Sequence, residues 1–510
     1  MKFKFFSIYM SFSVISGILL LSCATSSVKK IDPVLQEEID RKVIAVTNIA
    51  NLMEEDNLEG AYYRMDGTFR SGMSYDEFCT NWKKYTESLG KLSGFHINYD
   101  EYASLNFYRN ILVIYEFDNG NMSARYLFKP TGLVPVDVIY GEADRKLVSA
   151  DLPLKNLCNG YFKLGCGITG ATEQGSAIRV PEFMDIVKTQ FSSCTSTNLM
   201  KPAYVLNQTM SVKNYAKGNK EPGLNFSNIE KTLQWCQKNS VPLRGHTLVW
   251  HSQTPDWFFR EAYKSDGDYV SREEMIERLD SFIRQYMTFV QENYPDVVYC
   301  WDVVNEAVDP EEGDSSTDFM CRIKNNNKDS GWYQTIGPDY PEIAFTVARK
   351  YAADGVKLFY NDYGAISKKK SEYIYNLCKS LKEKGLIDGI GIQGYWDIKN
   401  PGLKDIENII NKYAELGLQL QLTEWSIPAA AETEEGFMEQ AERYASVFKL
   451  LQKLDTQGGG KADITTVSFF GVQDHFVLNA NDTNNTRLYD KDFNPKPVYF
   501  SIQDVLRIYY

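Results

Sequence analysis

Two glutamates, Glu306 and Glu424, carry the chemistry that this sequence could perform. Glu306 lies near the end of the stretch Tyr299-Cys-Trp-Asp-Val-Val-Asn-Glu-Ala307, in which Cys300 to Val304 is apolar except for Asp302. That pattern suits a fully buried strand of a parallel sheet. At Asn305 and Glu306 the chain turns polar, and Ala307-Val308-Asp309-Pro310 cannot continue as a helix, so the strand delivers both side chains into a loop. A carboxyl group placed there is partly desolvated yet still within reach of a substrate. The bland alternative is a Glu306 that caps the next helix. Glu424, after Gln419-Leu-Gln-Leu-Thr423, would alone read as an exposed loop charge. Taken as a pair on facing strand ends, the two carboxyls fit hydrolysis of a glycosidic bond: one protonates the leaving oxygen while the other attacks the sugar carbon.

Such a pair needs a scaffold that brings distant strand ends together, and the chain supplies one from about residue 152 onward. Candidate strands alternate with helical periodicity at Tyr161–Ile168, Gln190–Cys194, Pro242–Val249, Val298–Val304, Val356–Tyr360, Ile387–Gln393, Gln419–Leu422 and Asp463–Gly471. Eight strand–helix units predict a (β/α)8 barrel, with chemistry at the C-terminal strand ends. The polar residues collect there: His246 and Trp250, Asn305 and Glu306, Asn361 and Tyr363, Gln393, and Glu424. A doubly wound open sheet is the competing architecture. Gly165-Cys-Gly-Ile-Thr-Gly170 has the letters of a nucleotide loop, but it overlaps a strand and no helix opens directly after it.

Upstream, residues 1–22 read as an export signal, with Lys2 and Lys4 before an apolar run too short to span a membrane. Leu20-Leu-Ser-Cys23 resembles the lipobox of bacterial lipoproteins, which implies lipidation of Cys23, an exported membrane-anchored protein at the outer membrane or cell surface, and a linker over 23–30. The alternative is a plain secretory signal. Residues 31–148 predict a small α+β domain: a helix from Pro33 to about Glu55, a second capped by Ser74, then strands at Phe95–Tyr99, Ile111–Phe117, Ser123–Phe128 and Leu133–Ile139. This loosely resembles cystatin-like or nuclear-transport-factor-like domains and suggests a spacer or interaction role. A net charge of −12 argues against a nucleic-acid partner. The scattered cysteines after Cys23 read as buried small hydrophobes rather than a metal site, with one incidental disulfide still open.

Five motifs together resemble glycoside hydrolase family 10, the retaining endo-β-1,4-xylanases: Leu243-Arg-Gly-His-Thr-Leu-Val-Trp-His-Ser-Gln253, Trp301-Asp-Val-Val-Asn-Glu-Ala307, Leu358-Phe-Tyr-Asn-Asp-Tyr363, Gly389-Ile-Gly-Ile-Gln393 and Leu422-Thr-Glu424. The resemblance spans residues 152–510. It implies xylan or a xylo-oligosaccharide as substrate, Glu306 as general acid/base, Glu424 as nucleophile, and no metal or organic cofactor. It implies further that Asn305 binds the 2-hydroxyl of the cleaved sugar, that Asn198, Lys201, His246, Trp250 and Gln253 line the glycone side, and that Asn361, Tyr363 and Gln393 orient the centre. Several positions depart from the family pattern: Thr197 stands for an acid, Tyr395 for a histidine, Ser426 for the aspartate behind it, and Phe470 and Leu478 for two tryptophans. Tyr395 is expected to take over the histidine's hydrogen bond to Glu424. These departures leave open a related β-glycanase of altered glycone specificity, or a glycan-binding lipoprotein on the same fold.

Overall fold

The computed structural model describes residues 33–98, 107–142, 152–170, 172, 176–474 and 485–509. The signal segment, Cys23 and Leu478 lie outside the described residues. The N-terminal part begins with helix α1 (Pro33–Glu54), two short helices α2 (Leu58–Tyr63) and α3 (Gly67–Gly72), and α4 (Tyr75–Thr86). Ser74 and Glu77 form a reciprocal capping box at α4, as the sequence predicts for a Ser at that boundary. Strands β1 (Leu92–Asn98), β2 (Arg109–Phe117), β3 (Gly120–Phe128) and β4 (Asp137–Glu142) follow in an antiparallel meander of the same order. Phe117 pairs with Gly120, so Asp118-Asn119 makes a two-residue turn. The fourth strand starts later than Leu133. Pro135 has no N–H for a ladder, and Leu133 and Val134 before it are exposed.

The rest of the described chain closes into a barrel. Its strands are β5 (Lys163–Ile168), β6 (Ser193–Ser196), β7 (Leu243–Trp250), β8 (Val298–Asn305), then, after a small hairpin of β9 (Lys324–Asn325) and β10 (Lys328–Asp329), β11 (Lys357–Asp362), β12 (Gly389–Ile392), β13 (Gln419–Trp425) and β14 (Asp463–Phe469). All eight barrel strands pair in parallel, and β14 returns to β5. A helix follows each strand, for example Arg272–Asn293 after β7 and Glu434–Leu454 after β13. The open-sheet alternative is therefore excluded. The second strand starts three residues later than the sequence suggests, because Gln190 ends the helix Pro181–Gln190 and turns its side chain to accept from the Leu154 N–H at 3.1 Å.

Strand burial explains why the sequence reads so clearly here. The strands are buried along nearly their whole length, as expected for a sheet covered by helices on one side and filled by its own side chains on the other. Packing is close enough to dictate residue type. A Cβ on Gly245 would come within 2.3 Å of the Trp301 ring, so only glycine fits beside that buried indole. The described cysteines are unbridged; all are buried except the half-buried Cys79, and Cys194 and Cys236 bring their sulfurs within 3.5 Å.

The N-terminal part is docked on the barrel. Phe107, Tyr108 and Leu127 belong to the same apolar core as the barrel helices. Asp504, fully buried on the last helix (Pro497–Tyr509), accepts the backbone N–H groups of Phe107 at 2.5 Å and Tyr108 at 2.8 Å. Ion pairs Lys129–Glu442 and Lys449–Asp137 add to the seam. Replacing Asp504 by Ala leaves two buried donors unsatisfied, at about 1–3 kcal/mol each. We expect Asp504→Ala to lower the melting temperature by several degrees; a melting temperature equal to the parent's would show that the seam carries no stability.

Candidate active site

The barrel's C-terminal face holds an open cavity of about 200 Å³ lined by Gly167, Thr195, Thr197, Lys201, His246, Trp250, Asn305, Glu306, Gln393, Tyr395, Thr423, Glu424 and Phe470. Residues from strand ends β5 to β8 and β12 to β14 thus converge on one space. Glu306 and Glu424 are both buried at this face.

Each carboxylate oxygen has its own donor. Trp250 Nε1 donates to Glu306 Oε2 at 2.8 Å and Gln393 Nε2 to Oε1 at 3.0 Å. Asn361 Nδ2 donates to Glu424 Oε1 at 3.1 Å, and the Tyr395 hydroxyl donates to Oε2 at 2.6 Å. Asn305 links the two halves, since its Oδ1 accepts from Asn361 at 2.9 Å and from Gln393 at 3.3 Å. Asn361 itself is oriented by the Thr423 hydroxyl, which donates to its Oδ1 at 2.7 Å. The close seat of Asn361 needs Gly391, where any Cβ would stand 2.4 Å from Asn361 Oδ1.

Tyr395 reaches Glu424 because the pairing of β12 and β13 continues past both strands. Gly394 N–H donates to the Glu424 carbonyl at 3.1 Å, Ser426 N–H to the Gly394 carbonyl at 3.0 Å, and Tyr395 bridges to Ser426. The Tyr395 ring is half exposed, packed edge-on to Phe470 at 5.4 Å, while its hydroxyl end turns inward. Burial of that end, followed by the Glu424 charge, pushes the phenol well above its ordinary pKa, so it remains a neutral donor. Arg487 approaches from behind, with Nη1 at 3.5 Å from the Ser426 hydroxyl.

Beneath the cavity lies a buried charge network. Asp302, fully buried on β8, accepts from Arg244 Nη2 at 2.6 Å and from His246 Nδ1 at 2.8 Å. Arg244 Nε also donates to Gln421 Oε1 at 2.6 Å. Burial opposes the Asp302 charge, but Arg244 and His246 outweigh it and hold the carboxyl below its usual pKa. With Nδ1 committed to Asp302, His246 has Nε2 left for the cavity it lines. His251 stands next to Glu306, Nε2 to Oε2 at 4.0 Å, and burial, with Arg322 and Lys370 nearby, pushes its pKa down to about 3. It therefore brings no positive charge to Glu306 at neutral pH.

Besides Asn361, which bonds Glu424 without lining the cavity, three residues expected at the site lie outside its lining. Asn198 accepts from Lys201 Nζ at 2.8 Å, and that ammonium sits 4.8 Å from the centre of the Trp250 ring. Gln253 occupies a turn at φ 47°, where its carbonyl accepts the Ala203 N–H at 2.8 Å. Tyr363 is exposed and touches neither carboxylate; its hydroxyl accepts from Arg322 Nη2 at 2.9 Å. Sequence reasoning passed over Asp302, Arg244, Thr195, Thr423, His251 and Arg322. Asp302 and Arg244 did carry a signal, as charges within strands that are buried along nearly their whole length.

A closed barrel that presents two amide-bridged glutamates to one cavity defines a (β/α)8-barrel glycoside hydrolase. The model of Glycosyl hydrolase family 10 matches residues 153–505, and the chain belongs to that family. Among its relatives, a putative endo-1,4-beta-xylanase of Caldicellulosiruptor saccharolyticus is 41% identical over 59% of this chain and 95% of its own length. A Clostridium thermocellum endo-1,4-beta-D-xylanase 10B structure with CBM22-1 and GH10 modules, complexed with xylohexaose, has a TM-score of 0.63 at 28% identity, over 78% of both chains. An endo-1,4-beta-xylanase structure from Caldicellulosiruptor owensensis has a TM-score of 0.55 at 33% identity, covering 69% of this chain and 99% of that one.

The Asp302 network yields a stability prediction. A carboxyl with a lowered folded-state pKa contributes stability that is present above the ordinary value of 3.8 and lost as pH falls through the folded value. Asp302→Asn removes that contribution and leaves Arg244 buried without its anion, at a cost of about 3–5 kcal/mol. Denaturant melts at pH 7 and pH 3 should show the variant much weaker at pH 7, with the gap narrowing at low pH; a gap independent of pH would contradict the assignment.

Proposed function

We propose that this chain is a retaining endo-1,4-β-xylanase that cleaves xylan by double displacement, with Glu424 as nucleophile and Glu306 as general acid/base. The observation that carries the proposal is the set of four separate donors on the two carboxylates, joined through Asn305. Family membership and the xylanases among its relatives support the substrate. In the first step Glu424 attacks the anomeric carbon as Glu306 protonates the departing oxygen; in the second, Glu306 takes a proton from water, which displaces Glu424. The Trp250, Lys201 and His246 side of the cavity receives the glycone, and Asn305 faces the sugar being cleaved.

Tyr395 and Asn361 hold the nucleophile in one orientation and stabilise its charge as it leaves again in the second step. Tyr395→Phe deletes a single short hydrogen bond and keeps the ring against Phe470. Its loss should slow turnover on xylo-oligosaccharides roughly ten- to a thousandfold, from about 1.5–4 kcal/mol, while proton NMR of the first products shows the β-anomer in both proteins. Full activity in Tyr395→Phe would remove Tyr395 from the machinery, and an initial α-anomer would overturn the double-displacement reading.

We propose in addition that the protein is exported and anchored by lipid at Cys23, on the strength of the apolar run and the Leu20-Leu-Ser-Cys23 sequence. The residues lining the cavity come from the barrel, so residues 31–148 serve as its docked support. On expression of the full chain in a bacterial host, Cys23→Ser should shift the enzyme from the membrane fraction to the soluble fraction. Unchanged membrane association would rule out the anchor.

A further inference from the structure

Arg322, in the loop between β8 and β9, makes contacts that the catalytic scheme above does not use. Its side chain is buried and reaches four acceptors. Nε donates to the Glu306 carbonyl at 2.8 Å, Nη2 to the Val308 carbonyl at 3.2 Å and to the Tyr363 hydroxyl at 2.9 Å, and Nη1 to the Asp309 carboxylate at 3.0 Å. Its own backbone N–H donates to the Ala307 carbonyl at 2.7 Å. One residue therefore holds the backbone from 306 to 308 and the side chain of 309.

That backbone needs holding. Glu306 has φ 57°, in the left-handed region that side chains with a Cβ rarely adopt, so the conformation persists only where its surroundings over-determine it. The Glu306 N–H is tied on the other side to the Asn361 carbonyl at 2.9 Å. A glutamate released from this turn would swing its carboxyl away from Trp250 and Gln393.

The same guanidinium fixes Tyr363. This ring is 42% exposed, with the Lys370 ammonium 3.4 Å from its centre. Lys370 is buried and donates to Asp362 at 2.7 Å. The barrel order β7, β8, β11 places Glu306 between Trp250 and Tyr363. If the glycone lies on the Trp250 side, the leaving sugar lies on the Tyr363 side, and the proton must be given at the bond between them.

We infer that Arg322 is a positioning residue for the acid, and that it ties the leaving-group sugar held at Tyr363 to the carboxyl of Glu306. The inference rests on the reading of Glu306 as the proton donor. It requires that loss of Arg322 harm reactions in proportion to their need for a proton. A merely structural role would harm all reactions alike.

The test compares kcat/KM, which reports the first chemical step, on xylotriose and on 2,4-dinitrophenyl β-xylobioside, whose leaving group departs without protonation. In the full chain, Arg322→Met should lose about a hundredfold or more on xylotriose, the range of general acid catalysis, and less than about fivefold on the aryl substrate. Arg322→Lys should recover part of the loss on xylotriose. Tyr363→Phe, which keeps the ring and removes only the hydroxyl that Arg322 bonds, should lose about five- to tenfold on xylotriose alone, as for one neutral hydrogen bond; it also serves should Arg322→Met fail to fold. Equal losses on both substrates, or none on either, would overturn the inference. Glu306→Ala is the control: if it loses equally on both substrates, the acid assignment itself fails, whereas discrimination by Glu306→Ala without discrimination by the Arg322 and Tyr363 variants removes only the role of Arg322.

Discussion

Two carboxyl groups face one small cavity, and each is oriented by neutral hydrogen-bond donors rather than paired with a cation. A cation on either would trap it in an ion pair. Neutral donors avoid this: an indole and an amide serve Glu306, an amide and a phenol serve Glu424. Positive charges do stand nearby, but each is committed elsewhere. Arg244 is bound to Asp302, Lys370 to Asp362, and Arg322 to backbone carbonyls and Asp309. His251, close enough to matter, is kept neutral by burial.

This arrangement depends on a barrel whose interior is polar at its catalytic end. Asp302 is buried directly below the cavity and orients His246, while Asn361 and Thr423 form a layer of side-chain hydrogen bonds under Glu424. Each of these groups would be costly alone in a low-dielectric interior, and each is satisfied by a side chain from another strand. The consequence is rigidity, since side chains in such a layer have no alternative partners to turn to. Backbone strain at Glu306 is tolerated for the same reason, with hydrogen bonds holding it from both sides.

Much of this was legible from the sequence because parallel barrel strands are apolar runs that end abruptly in polar residues. The eight strands, the two glutamates, and the placement of Asn305 and Gln393 at strand ends follow from that contrast, whereas Tyr395 is marked only by the family motif it departs from. Asp302 was noticed only as an interruption, because its meaning lies in Arg244 and His246 on the neighbouring strand, and sequence spacing does not reveal which strand ends face each other. Arg322 was missed for a different reason: three of its contacts are to carbonyls, and backbone acceptors leave no mark in the residue types. Asn198 and Gln253 were placed at the site by motif alone and Tyr363 by its strand end, and the positions of all three beside rather than within the cavity depend on loop turns such as the one at Gln253. Apolar Leu133 and Val134 suggest an earlier start for β4, but Pro135 has no N–H to donate, and that missing donor governs the pairing.

The central claim is that Glu424 becomes covalently bonded to sugar during turnover. Incubation of the full chain with 2,4-dinitrophenyl 2-deoxy-2-fluoro-β-xylobioside, whose fluorine slows release from the enzyme, should leave one fluoroxylobiosyl group per molecule. Mass spectrometry of a protease digest should place it on the peptide that contains Glu424. Release of dinitrophenol with no label on the protein, or a label on Glu306 or any other residue, would contradict the account.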